Sequence, residues 1–133
     1  MTARVYVPAT SGLLAVLRDE GRLSGPVRAH AVTDALRSAW PEADEESLEY
    51  AATMAAAAGS AALRAAEDRP RRYVVAADVP GIAPVAGEDP TLVEVAADVV
   101  LKRVASILAD TEDDPDEDDD LAWYATQELP YLG

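Results

Sequence analysis

Apolar and polar positions alternate from Arg4 to Val7 and again from Val27 to Val32, and each run leads into a threonine, Thr10 and Thr33. A period of two predicts a strand, and a hydroxyl side chain at its end can take up a free N–H of the first helical turn. The unit strand, threonine, helix therefore occurs twice. The first helix, starting at Thr10 or Ser11, gathers Leu13, Leu14 and Leu17 on one face and stops at Gly21; the second carries Leu36 and Trp40 and stops at Pro41. A helix between two strands lets the chain return in its original direction, so parallel pairing is expected for these first strands.

Asp44 is positioned to cap a third, longer helix, whose opening residues Glu45, Glu46 and Glu49 suit the positive end of its dipole. Leu48, Ala51, Ala55, Ala58 and Ala62 recur at spacings of three and four, and Pro70 ends the pattern. Tyr73 to Val79 predicts a strand closed by the Pro80-Gly81 turn, Ile82 to Pro90 a loop, and Val93 to Val99 a half-exposed strand. These two strands, joined by a loop, are expected to be antiparallel. Leu101 to Arg103 reads as a brief turn before another strand.

The expected fold is a single α+β domain, with a four- or five-stranded mixed sheet, helices mainly on one face and a C-terminal helix closing one edge. Residues 1–109 form the core in this reading. Nine of the eleven residues from Asp110 to Asp120 are acidic and predict a flexible linker, followed by a helix over 121–133 that docks on the core.

Composition changes the picture in three places. The net charge of −14 owes much to that acidic run, without which 16 acidic and 11 basic groups remain. Arg69, Arg71 and Arg72 make no basic stripe and are expected to be solvated or paired with the acidic segment, so no nucleic-acid partner is expected. The absence of cysteine excludes disulfides, thiolate metal sites and a cysteine nucleophile. Met1 to Arg4 has no signal-peptide pattern, and the alanine-rich run is too interrupted to span a membrane, which sets the expectation of a cytoplasmic protein with no membrane partner.

Tyr6-Val-Pro-Ala-Thr10, Ala29-His-Ala-Val-Thr33, Leu48-Glu-Tyr-Ala-Ala52, Val74-Val-Ala-Ala-Asp-Val-Pro80 and Trp123-Tyr-Ala-Thr-Gln-Glu-Leu-Pro130 together resemble an uncharacterised family of high-GC actinobacteria, known only as a domain of unknown function. The blocks span nearly the whole chain. The resemblance implies a strand after Leu101 and a variable acidic insertion ahead of a shared C-terminal helix. It implies no activity, cofactor or catalytic residue.

Candidate chemistry is sparse. Asp116, Asp118 and Asp120 fall at the first, third and fifth places of a calcium loop, but Leu121 stands where glycine must turn the chain and Gln127 where a bidentate glutamate belongs, so no metal site is expected there. His30 is the only imidazole; it shares a strand face with Arg28 and Val32, and no nucleophile motif accompanies it. Glu46, Glu49 and Asp78, with Glu45 and Tyr50, form a carboxylate cluster only if the long helix starts near the end of the Tyr73 strand. In the terminal helix Tyr124 and Glu128 fall on one face, and Trp123 and Gln127 on another. A ring there either anchors the helix or, if exposed, marks an interface.

The resulting expectation is a non-catalytic cytoplasmic protein-interaction or regulatory module without a cofactor. Its partner would be a protein with a basic surface, met through Trp123, Tyr124, Gln127 and Glu128. The competing expectation is a small hydrolase or other enzyme using His30, Glu46, Glu49 and Asp78, with or without a divalent cation.

Overall fold

In the computed structural model, which describes residues 2–133, the chain forms one α+β domain around an antiparallel seven-stranded sheet. The strands of that sheet are β1 (Ala3–Ala9), β3 (Val27–His30), β4 (Tyr73–Val79), β5 (Ala83–Pro84), β6 (Leu92–Val95), β8 (Val104–Ala109) and β9 (Ala122–Ala125). Their order across the sheet is β5-β6-β3-β1-β4-β8-β9, whereas β2 (Arg22–Leu23) pairs separately with β7 (Val99–Val100). The sheet is thus larger than the expected four or five strands.

No parallel pair occurs among the described strands. After α1 (Ser11–Glu20) the chain does not go straight back into the sheet: Gly21 turns it at φ 75° into β2, and a second turn at Gly25-Pro26 leads into β3. The extra reversal sends β3 antiparallel to β1. The expected pairing of 73–79 with 93–99 is also absent, since β4 lies between β1 and β8, and β6 pairs with β3. The 93–99 run itself breaks after Val95, and its tail becomes β7.

Helices cover both faces of the sheet, which corrects the one-face expectation. On one side Leu14 and Leu17 of α1 pack on Val5, Val7, Val75 and Ile107. These two leucines are at most 1% exposed, each worth roughly 1.5–3 kcal/mol of hydrophobic stabilisation. On the other side α3 (Glu45–Leu63) lays Ala52, Ala56 and Ala57 against Tyr6, Val74 and Ala76. The short α2 (Asp34–Ala39) leads into it. The three expected caps form: the side chains of Thr10, Thr33 and Asp44 accept from the backbone N–H groups of Leu13, Leu36 and Ser47.

Helix α3 stops at Leu63, not at Pro70, because the Asp68 carboxylate takes the N–H of Ala65 at 2.9 Å and of Gly12 at 2.9 Å, making a turn that ties the helix end to α1. Its approach to the sheet is close. A Cβ on Gly59 would lie 3.0 Å from the Pro8 ring, and the buried Ser60 hydroxyl donates to the carbonyl of Ala9 at 2.6 Å while accepting from the N–H of Tyr73 at 2.9 Å. Pro8 also explains why β1 and β3 share the single register pair Tyr6 with His30: the next inward-facing position of β1 has no N–H to donate.

Candidate interaction surface

The 121–133 segment is helical only over Thr126–Tyr131, where Leu129 docks on the core, and its first part is a strand. Ala122–Ala125 adds β9 to the sheet beside β8, with Trp123 opposite Leu108 and Tyr124 opposite Ile107, and Thr126–Tyr131 coils into a 3₁₀ turn. Aromatic residues fit a pleated edge, and β8 would otherwise leave its own outer backbone groups unpaired. The strand puts neighbours on opposite faces, so the expected helical grouping dissolves. Tyr124 is half-buried against the core on the α1 side. Trp123 points the other way and is 64% exposed.

The turn after β9 is held by Glu128, whose carboxylate accepts the N–H of Ala125 at 2.9 Å, and by Leu129, which is buried in the core. Gln127 opens on a separate groove of about 640 Å³ lined by Arg18, Leu101, Val104 and Leu129. Of the four expected interaction residues, Trp123 alone presents a large exposed ring.

The acidic segment, expected as a linker, folds back over two arginines. Arg72 is 4% exposed and donates to both oxygens of Asp110, at 3.0 Å from Nε and 2.8 Å from Nη2. Its Nη1 and Nη2 also donate to the carbonyls of Glu117 and Asp119, at 2.9 and 2.8 Å, so one guanidinium gathers both ends of the loop. Hydrogen bonding to Asp110 holds the Arg72 guanidinium above its ordinary value. Arg71 pairs with Asp113 at 2.7 Å, and the Tyr50 hydroxyl donates to Asp120 at 2.7 Å. Among the described residues, only Asp110 and Asp113 of the nine acids are matched with an arginine. The other seven have no salt-bridge partner among the described residues, and Asp118 to Asp120 shortly precede β9 in the chain.

Of the residues of the competing reading, Asp78 and Glu49 both lie near Arg4, whereas Glu46 and His30 are elsewhere. Asp78 sits opposite Arg4 across β1 and β4, and Arg4 donates to both its oxygens at 2.7 and 3.0 Å; this hydrogen bonding pulls the Asp78 carboxyl below its usual range. Glu49 faces a cleft of about 220 Å³ with Arg4 and Tyr6, whereas Glu46 faces a different depression with Trp40 and Tyr50. Glu45 pairs with Arg37. Among the described residues no three His, Asp or Glu side chains are placed to hold a metal ion.

His30 lies apart from all of these carboxylates. Its Nδ1 is 2.7 Å from the Thr91 hydroxyl, which in turn donates to Asp89 at 2.6 Å. Because the hydroxyl proton is engaged with Asp89, the network assigns the imidazole proton to Nδ1. Burial pushes the His30 pKa down, opposed by the Asp89 charge. Its ring borders Gly59, in the space that a side chain there would enter. Sequence reasoning missed Thr91 and Asp89 as its partners, since they lie 61 and 59 positions away, just ahead of β6.

Fold and surface together define a small α+β domain whose sheet has one edge strand bearing an exposed tryptophan beside an acidic loop. The chain belongs to a family of unknown function, DUF6912, whose model matches residues 3–132. No curated protein and no solved structure matches it. Among the described residues no helix is long and apolar enough to cross a membrane.

Proposed function

We propose that this domain is a non-catalytic cytoplasmic protein-interaction module, and that it recognises a basic partner through β9 and the acidic loop ahead of it. The observation that carries this reading is Trp123. In a chain whose aromatic content is 5%, a ring left 64% exposed on an edge strand is the kind of side chain that anchors an interface. The carboxylates without a salt-bridge partner in the loop ahead of β9 favour a cationic partner and speed its approach.

The test is affinity capture with the full chain, its Trp123→Ala variant, and a variant carrying Asp116→Asn, Glu117→Gln, Asp118→Asn and Asp119→Asn. These side chains are exposed, so the fold tolerates their neutralisation. A specific set of basic proteins held by the wild type, lost with Trp123→Ala and weakened by neutralisation, supports the reading. Identical partners on all three chains, or none on any, removes it.

A further inference from the structure

We propose, building on that recognition reading, that the partner is received as an added strand: an extended basic peptide segment that hydrogen-bonds to the outer edge of β9 and lays a cationic side chain over Trp123. The inference rests on where the backbone of β9 points. The N–H of Ala125 is taken by Glu128 within its own turn, so the Ala125 position faces away from β8. Alternation then turns Trp123 outward as well. The other end of the ladder gives the same phase independently: the N–H of Asp110 donates to the carbonyl of Arg72, towards β4, which leaves Ala109 to face Ala122 and Leu108 to face away from Trp123. The N–H and C=O of Trp123 are therefore free edge groups flanking an exposed ring.

The opposite edge of the sheet is closed to the same mode. Strand β5 is two residues long, and because the N–H of Val85 donates inward to Leu92, Pro84 occupies the outward position, where it has no N–H to offer. At β9 the outward position has its donor.

Charge selects the occupant. A second copy of this chain, paired edge to edge, would bring carboxylates against carboxylates in either direction: acidic loop against acidic loop if parallel, acidic loop against Glu128 if antiparallel. A peptide alternating cationic and apolar residues meets neither penalty. Its cationic side chains on the α3 side lie over the Trp123 ring and within reach of Asp118 to Asp120, and its apolar ones face the Tyr124 side.

The experiment uses a fluorescein-labelled octapeptide alternating Arg and Val, with two N-methylated isomers, each methylated on one of the two alternating sets of amides. Strand addition predicts saturable binding of the parent peptide, a loss of about tenfold or more for one isomer, and little change for the other. On the protein side, Trp123→Pro removes both ring and outward N–H, whereas Trp123→Ala removes the ring alone; Trp123→Pro is expected to bind the peptide several-fold more weakly than Trp123→Ala. Because that N–H takes no part in the β8 pairing, an unchanged circular dichroism spectrum is expected for both variants.

Equal binding by both isomers, with Trp123→Pro matching Trp123→Ala, overturns strand addition while leaving recognition through Trp123 intact. No saturable binding of the parent peptide up to millimolar concentration overturns it too. If the affinity capture described above has kept its Trp123 dependence, the recognition reading survives that failure; if it has not, both fall. A concentration-dependent dimer in sedimentation that Trp123→Pro abolishes overturns the proposal in favour of a second copy.

Discussion

The Arg72 guanidinium and the Asp110 carboxylate, both almost fully buried, meet through two hydrogen bonds at 2.8 and 3.0 Å, and the Asp110 carboxylate takes the Arg72 backbone N–H as well, at 2.6 Å. They sit where β4 begins and β8 has ended, and the acidic loop hangs from the same guanidinium. Removing either partner strands an unpaired charge in the interior. Arg72→Met is expected to cost about 3–5 kcal/mol in chemical denaturation, and the double variant with Asp110→Leu to recover a large part of it. Hydrogen exchange at residues 111–121 should rise in Arg72→Met well before global unfolding.

Ser60 joins two strands and a helix with one hydroxyl. Ser60→Ala leaves the Tyr73 N–H and the Ala9 carbonyl without the hydroxyl at a fully buried site, with an expected loss of about 1–3 kcal/mol, measured by the shift of a urea midpoint at constant slope.

Gly25 tolerates no side chain. An added Cβ would stand 2.5 Å from the carbonyl oxygen of Ala97, a backbone atom that cannot rotate aside. Gly25→Ala is expected to destabilise by about 1–3 kcal/mol, whereas the same change at Gly81, which meets nothing within 4 Å, should be close to neutral.

His30 supplies a pH dependence of defined sign. Its folded pKa lies below that of an ordinary imidazole, so on acidification the unfolded chain takes up a proton before the native one. The His30 contribution is fully present above about pH 6.5 and declines as the pH falls through the lower folded value. Thermal melts between pH 7.5 and 5 should show this slope in the wild type, and His30→Asn should flatten it. Equal slopes in the two proteins would exclude His30 as its source.

Trp123→Ala should leave stability within about 0.5 kcal/mol of wild type, because the ring is mostly in solvent. A loss of several kcal/mol in a thermal melt would make the ring a structural anchor and deprive the interface reading of its main support.

Local chemistry was legible in the sequence and non-local pairing was not. Thr10, Thr33 and Asp44 act as caps because a cap needs only its own next three residues. The buried stripe of α3 shifted from Ala51, Ala55 and Ala58 to Ala52, Ala56 and Ala57, since a helix made of alanine carries almost no contrast between its faces. Parallel pairing failed on five residues, Arg22 to Pro26, whose added reversal has no periodicity to announce it. At the surface, Trp123 and Tyr124 were flagged as residues, but their grouping by helical spacing failed when β8 recruited them as a strand. Pairing of Arg71 and Arg72 with the acidic run follows one of the two alternatives the sequence offered, whereas the burial of Arg72, 38 positions before Asp110, leaves no mark in the composition.

The asymmetry of the two sheet edges limits how such domains could assemble. Growth of a fibril by strand stacking needs a donor edge and an acceptor edge on every subunit, and Pro84 removes one of them. Each molecule is left with one edge open to strand pairing, so stacking of subunit on subunit would stop at a pair.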